Sequence, residues 1–154
     1  MYVPKKDHDY NEFWCGHQTL ENAKKIFKLD NDALELLLRL KTEKIPMYVV
    51  SQHRKELLIK LLEYFGIKEF FTDVLVTTEK GKRIQQLAKA KQIPLDKCLM
   101  IGDRYELDIA PVLKIGVNAL LIDREHNQYL HVPRIKNYDE VLKLINTDQD
   151  EKSS

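Results

Sequence analysis

Apolar residues recur at two different spacings along the chain from about residue 30 onward. Apolar positions three and four residues apart predict amphipathic helices, whereas short continuous apolar runs predict strands. Helices are predicted after a cap at Asp30 or Asn31, over residues 54–65 and 82–92, from about residue 107 to residue 116, and over residues 138–145. Strands are predicted at residues 47–50, 73–77, 98–101 and 118–122.

The ends of the predicted helices carry residues that terminate or begin helices. Gly66 and Gly116 stand where a C-terminal cap belongs, and Pro111 fits only the first turn of its helix. The four strands are almost wholly apolar, as is typical of strands that are buried on both faces. Their alternation with helices predicts an α/β fold with a mostly parallel sheet that is covered on both sides.

The first thirty residues do not follow this alternation. Residues 20–27 have a helical pattern, but residues 1–19 show no clear period. We therefore divide the chain into an N-terminal segment (residues 1–30), an α/β core (residues 31–145) and a polar tail (residues 146–154).

The composition narrows the class of protein. The 154 residues are 44% hydrophobic and 32% charged, and 25 basic against 24 acidic residues give a net charge of +1. So balanced a charge provides no broad basic surface for nucleic acid, and no apolar run approaches the ~20 residues that cross a membrane. The N-terminal residues show no secretion signal, and two cysteines are too few for a disulfide framework. We expect a cytoplasmic protein with no nucleic-acid or membrane partner.

Four polar side chains follow the predicted strands at their carboxyl ends, where parallel α/β sheets bind ligands. These residues are Ser51, Lys80, Asp103 and Asp108. Singly, each has an ordinary structural explanation as a turn residue, a helix cap or a solvated charge. Together, two carboxylates suit Mg²⁺, and a lysine and a hydroxyl beside that ion would hold phosphate oxygens.

The stretch from residue 47 to residue 123 resembles the second half of a haloacid dehalogenase-like (HAD) hydrolase core. Met47-Tyr48-Val49-Val50-Ser51 matches the family's second motif, and Glu79-Lys80-Gly81-Lys82 falls where the third motif places its lysine. Gly102-Asp103-Arg104-Tyr105-Glu106-Leu107-Asp108 matches the fourth motif, GDxxxxD. The resemblance implies a three-layer Rossmann-like sandwich and a Mg²⁺-dependent phosphotransfer site.

The resemblance also implies a role for each of the four side chains. Ser51 would donate a hydrogen bond to the phosphoryl group, and Lys80 would neutralise the charge of the nucleophile and the phosphate. Asp103 would bind Mg²⁺ directly, with Asp108 as a second ligand or as a group that orients the first. Most members of the family hydrolyse phosphate monoesters through an aspartyl-phosphate intermediate.

The family's first motif, DxDx(T/V), carries the nucleophile and has no clean copy in this sequence. The nearest match is Asp7-His8-Asp9-Tyr10-Asn11, in which Asn11 stands where Thr or Val belongs. The strand before it would be residues 1–6, whose proline and two lysines suit a central strand poorly.

By resemblance, that first strand lies in the middle of the sheet, between the strands that end at Ser51 and Asp103. Either residues 1–6 fill the position or a segment of another chain does. Alternatively, the chain is a fragment, and residues 11–28 are the end of a helical cap.

Two functions therefore remain open. One is a Mg²⁺-dependent phosphohydrolase that acts on a small phosphorylated metabolite. The alternative is a catalytically silent HAD-like fragment or module that binds a protein partner, a phosphorylated ligand or another copy of itself. Self-association is expected if the first strand is missing.

Overall fold

The structure, a computed structural model, describes residues 20–123 and 131–152. The chain forms two compact units, Met1–Val76 and Thr77–Ser154. Residues 1–19, which hold the first-strand candidate together with Asp7 and Asp9, lie outside the described residues. Within the described part of the chain, no helix has both the length and the apolarity needed to cross a membrane.

The described part of the first unit, residues 20–76, contains three helices and a two-stranded parallel sheet. Its elements are α1 (Leu20–Ile26), α2 (Asn31–Thr42), β1 (Tyr48–Ser51), α3 (Lys55–Tyr64), a 3₁₀ turn (Lys68–Phe70) and β2 (Asp73–Val76). In the β1–β2 register, Val49 lies opposite Val74, and Ser51 lies opposite Val76. The polar end of β1 therefore coincides with the end of β2.

Helix α3 supplies three buried leucines, at positions 58, 61 and 62, to the core of the first unit. Leu58 and Leu62, four residues apart on one face, are each 2% exposed and pack with Ile67 and Val74. The helix ends before Gly66, whose φ of +70° is the left-handed conformation that glycine adopts without strain. The predicted helix and its glycine terminator are both confirmed.

In the second unit, residues 77–123 and 131–152 form a three-stranded parallel sheet with helices. Its elements are α4 (Lys80–Lys91), a 3₁₀ turn (Leu95–Lys97), β3 (Leu99–Gly102), a π turn (Tyr105–Ile109), α5 (Ala110–Leu113), β4 (Asn118–Ile122), β5 (Arg134–Ile135) and α6 (Tyr138–Lys152). The strand order is β3-β4-β5, with Gly102 opposite Leu121 and Ile122 opposite Ile135. The predicted α/β fold with parallel strands is confirmed.

The core of the second unit lies around β4 and the segment that precedes it. Ile109 and Val112 are fully buried, and Leu121 is 2% exposed. Pro111 lies in the first turn of α5, where its missing N–H costs no helical hydrogen bond. Gly116, with a φ of +88°, ends this segment as predicted.

The prediction that all strands are buried on both faces is wrong for β1 and β3. β1 is half-buried throughout, and Leu99 of β3 is 53% exposed, whereas Val74 and Leu75 of β2 are buried. Among the described residues, β1 pairs with β2 alone and β3 with β4 alone, so each stands at the edge of its described sheet. An apolar run does not by itself show how deeply each residue of a strand is buried.

Two element boundaries also differ from the prediction, and one strand was not predicted. A π turn precedes α5, where one helix starting near Leu107 was expected. β5 was missed because two residues are too short to show a period. α6 continues to Lys152 rather than ending at Ile145, since a polar sequence can remain helical without an apolar stripe.

Candidate functional site

Lys80 and Asp108 form a buried ion pair in the second unit. The Lys80 Nζ atom donates a hydrogen bond to Oδ1 of Asp108, although the two residues are 28 positions apart in the chain. Their side chains are 11% and 6% exposed, respectively. Helix α4 positions Lys80, which is its first residue, and the π turn positions Asp108. The structure thus brings together two of the four predicted site residues.

The second carboxylate oxygen of Asp108 is also engaged. Oδ2 accepts a hydrogen bond from the Arg104 backbone N–H at 3.1 Å, and the Asp108 N–H donates to the Arg104 carbonyl oxygen at 2.8 Å. These reciprocal bonds close the turn between the two aspartates of the fourth motif. Because the carboxylate has a hydrogen-bond donor on each oxygen, Asp108 is oriented by the protein itself.

Gly102 makes this arrangement sterically possible. A Cβ atom on Gly102 would lie 2.6 Å from the Asp108 Oδ2 atom, closer than real Cβ atoms approach. Only a hydrogen in place of a side chain lets the Asp108 carboxyl group lie against the end of β3. Gly81 likewise allows helix α4 to approach Pro111 of α5 closely, since a Cβ atom on Gly81 would lie 2.7 Å from the Pro111 carbonyl oxygen.

Asp103 follows Gly102 at the carboxyl end of β3 and differs from Asp108 in its surroundings. Its side chain is exposed. Within the described ranges, its carboxylate takes part in no hydrogen bond or ion pair. The buried carboxylate of Asp108 is committed to protein donors, whereas the exposed carboxylate of Asp103 is available to a ligand.

Ser51 belongs to the first unit and ends β1. It is half-buried, and its Oγ atom accepts a hydrogen bond from the His53 backbone N–H at 3.1 Å. This bond is the local turn contact that serine often makes after a strand. The acceptor role leaves the hydroxyl proton available for donation to another group.

The donor set fits Mg²⁺ if the ion takes few protein ligands. In the described part of the chain, no group of three or more His, Cys, Asp or Glu side chains could hold a metal ion. Mg²⁺ commonly keeps several waters and binds through one or two carboxylates plus substrate phosphate oxygens. Asp103 has the exposure of a direct ligand, and Asp108 has the fixed, hydrogen-bonded geometry of a group that orients the site.

Sequence reasoning missed three parts of this site. The contact between Gly102 and Asp108 and the Arg104 backbone donor lie inside the GDxxxxD motif, whose spacing was the available signal. The third part is the contact of Tyr105 with His131, whose Nε2 atom is 3.2 Å from the Tyr105 hydroxyl oxygen. Nothing in the spacing of these two residues indicates that they meet.

The comparison with known families settles the membership of this chain. Residues 4–116 match the family described as haloacid dehalogenase-like hydrolase. The chain belongs to the HAD-like hydrolase family. The match includes the predicted second, third and fourth motifs, and it also includes Asp7 and Asp9.

One curated relative is similar over most of this chain. It is named "Putative pyrophosphatase PpaX" and comes from Caldanaerobacter subterraneus subsp. tengcongensis. The two are 34% identical over an alignment 121 residues long, which covers 74% of this chain and 50% of PpaX. The chain therefore spans about half the length of this relative.

Solved structures show the same HAD fold at low sequence identity. A HAD phosphatase from Thermococcus onnurineus has a TM-score of 0.72 at 18% identity, covering 90% of this chain and 65% of its own. An uncharacterized protein from Listeria monocytogenes has a TM-score of 0.69 at 18% identity, covering 94% and 92%. Bacillus subtilis YfnB, solved bound to magnesium, has a TM-score of 0.70 at 20% identity, covering 82% and 60%.

Proposed function

We propose that this chain is a Mg²⁺-dependent phosphohydrolase that acts on a small phosphorylated metabolite. The observation that carries the proposal is the buried Lys80–Asp108 ion pair, packed on Gly102 next to the exposed carboxylate of Asp103. A buried ion pair is a costly way to stabilise a fold, because apolar residues of the same size often do so as well or better. A cation held at a sheet edge beside an accessible carboxylate suits the binding of phosphate.

Each side chain has a distinct task in this proposal. Lys80 places positive charge near the phosphate oxygens, and Asp108 keeps the Lys80 ammonium group in place. Asp103 is the direct Mg²⁺ ligand, and Ser51 donates its hydroxyl proton to a phosphate oxygen. Bound Mg²⁺ would neutralise the phosphate charge and so favour attack on phosphorus.

The nucleophile is proposed to be one of the two aspartates near the N-terminus, Asp7 or Asp9. Support comes from the family match, which begins at residue 4 and so contains both. In hydrolysis, the carboxylate oxygen attacks phosphorus as the ester P–O bond breaks, and the leaving alkoxide takes a proton from water. A second water then attacks the phosphorus of the acyl phosphate, which releases inorganic phosphate and restores the carboxylate.

The test is release of inorganic phosphate by the full chain, with Mg²⁺ and with EDTA. Substrates are p-nitrophenyl phosphate, a panel of phosphorylated metabolites, and pyrophosphate because of the name that PpaX carries. We expect phosphate release with Mg²⁺ and none with EDTA. The turnover rate should fall by about 100-fold or more in Asp103→Asn. Asp7→Asn and Asp9→Asn identify the nucleophile, since one should abolish turnover.

Glu106→Gln is the matched control, because Glu106 is an exposed carboxylate three residues after Asp103, within the π turn. It should retain the activity of the parent chain. A parent chain that releases no phosphate from any of these substrates with Mg²⁺ would contradict the proposal and favour the catalytically silent binding module. Equal losses in Glu106→Gln and Asp103→Asn would also contradict it, since Asp103 would then have no special role.

A further inference from the structure

Tyr105 and His131 connect two segments that are distant in sequence. The Tyr105 hydroxyl is hydrogen-bonded to His131 Nε2 at 3.2 Å, and the rings meet edge to face with centroids 5.3 Å apart. Tyr105 is the first residue of the π turn that leads from Asp103 to Asp108. His131 lies in the connection between β4 and β5. The pair therefore links the β4–β5 connection to the turn that carries both motif aspartates.

The backbone next to His131 is firmly held. Val132 is 7% exposed, and the Pro133 carbonyl oxygen accepts a hydrogen bond from the Leu121 N–H at 3.0 Å. Leu121 itself is buried in β4. His131 is thus an exposed ring on an anchored backbone, which is able to restrain a neighbour.

The first half of the π turn is more exposed to solvent than its second half. Its second half is fixed by Asp108, which is bound to Lys80, and by the fully buried Ile109. In its first half, Glu106 is exposed and Tyr105 is half-buried. π turns are rarer and less regular than α-helical turns, and they occur often at functional sites.

We propose that His131 is a positioning residue that acts through Tyr105 on the turn between Asp103 and Asp108. It holds the turn in the conformation that presents the Asp103 carboxylate to Mg²⁺. This inference rests on the proposed function, because it takes Asp103 as the metal ligand. Residues that orient a ligand from outside the coordination sphere commonly change metal affinity 10- to 100-fold.

The test measures Mg²⁺ dependence in His131→Ala, Tyr105→Phe and the double variant. Two readouts are used: the Mg²⁺ concentration that gives half-maximal phosphatase activity, and the rise in melting temperature with Mg²⁺ in the absence of substrate. We expect each single variant to need about three- to tenfold more Mg²⁺, because the contact is partly exposed. The double variant should resemble the single variants, because all three lack the same hydrogen bond.

Two further variants separate positioning from general stability. His131→Gln keeps a side chain that can bond to the Tyr105 hydroxyl and should stay within about twofold of the parent chain. Lys136→Ala, which changes an exposed residue near β5, should leave the Mg²⁺ dependence unchanged. Unchanged Mg²⁺ dependence in His131→Ala, or additive effects in the double variant, would overturn the inference.

The outcomes keep this inference apart from the proposed function. A parent chain with Mg²⁺-dependent turnover and a His131→Ala variant with the same Mg²⁺ requirement would leave the function standing and reject the positioning role. A parent chain without turnover, whose melting temperature rises with Mg²⁺ only while His131 is present, would reject the proposed function and support the positioning role.

Discussion

Gly102 and Asp108 are so close that a Cβ atom on Gly102 would lie 2.5 Å from the Asp108 Cβ atom. The same Asp108 carboxylate binds Lys80 and the Arg104 backbone N–H. The conformation of the Asp103–Asp108 turn thus depends on a missing side chain at the end of β3. This relationship joins the stability of the second unit to the geometry of its candidate site.

We expect Gly102→Ala to lower the free energy of unfolding by about 1–3 kcal/mol, because the added methyl group must displace Asp108. Urea denaturation without Mg²⁺ measures this change. Gly116→Ala makes the same chemical change where nothing lies within 4 Å, so it incurs only the cost of a positive φ, about 1 kcal/mol. Moreover, Gly116→Ala should keep the Mg²⁺ response, which Gly102→Ala should lose. Equal effects of the two variants would show that the close approach has no consequence.

Removing one charge of the buried Lys80–Asp108 pair should destabilise the protein strongly, whereas removing both charges should cost less than the sum of the single losses. Lys80→Met and Asp108→Asn each leave one buried charge without its partner, so each should lower the free energy of unfolding by about 3–5 kcal/mol. The double variant removes both charges and should lose clearly less than the sum of the single losses, as measured by urea denaturation at pH 7.

The Glu79–Lys82 pair is the matched control, since its atoms are 3.9 Å apart and its side chains are 71% and 66% exposed. Glu79→Gln should change the free energy of unfolding by no more than about 0.5 kcal/mol. Additive losses at Lys80 and Asp108 would mean that the two charges do not depend on each other.

The Cys98 thiol should resist alkylation at neutral pH. Burial raises the pKa of Cys98 above its ordinary value, and the negative charge of Asp96 raises it further. In a Cys15→Ser background, the iodoacetamide rate of the folded protein should reach its midpoint at a higher pH than that of the urea-unfolded chain. Asp96→Asn should move this midpoint down without reaching the unfolded value, because burial remains the larger cause. Coincident midpoints for folded and unfolded protein would contradict the assignment.

The same shift fixes the sign of a pH effect on stability. Because the folded state holds the Cys98 proton more tightly than the unfolded chain, its contribution to stability is fully present below the ordinary thiol pKa. This contribution is lost as the pH rises through the raised pKa of the folded state. A comparison of urea denaturation in Cys15→Ser with that in the Cys15→Ser/Cys98→Ala variant at rising pH would detect it.

Variants of Ser51 distinguish a role as a turn residue from a role as a phosphate ligand. Ser51→Ala removes the acceptor for the His53 N–H and should lower the free energy of unfolding by about 1 kcal/mol. If the hydroxyl also donates to phosphate, turnover should fall by about tenfold or more, while Ser51→Thr keeps both properties. A loss of stability with unchanged turnover would leave Ser51 with the turn role alone.

The local pattern of this chain determined its elements. Leucines three and four residues apart determined the helix Lys55–Tyr64, and glycines at positions 66 and 116 ended two segments, because these effects act within a few residues. The GDxxxxD spacing likewise placed Asp103 and Asp108 at the end of β3. The family followed from such local motifs and was confirmed by comparison.

Only the tertiary structure decided how the site residues differ from one another. Asp103 and Asp108 look alike in sequence, yet one is exposed and the other is buried against Gly102 and Lys80. The Tyr105–His131 contact, across 26 positions, was likewise invisible to any short-range pattern. Burial and long-range contact depend on which segments pack together, so residues near each other in sequence carry no record of them.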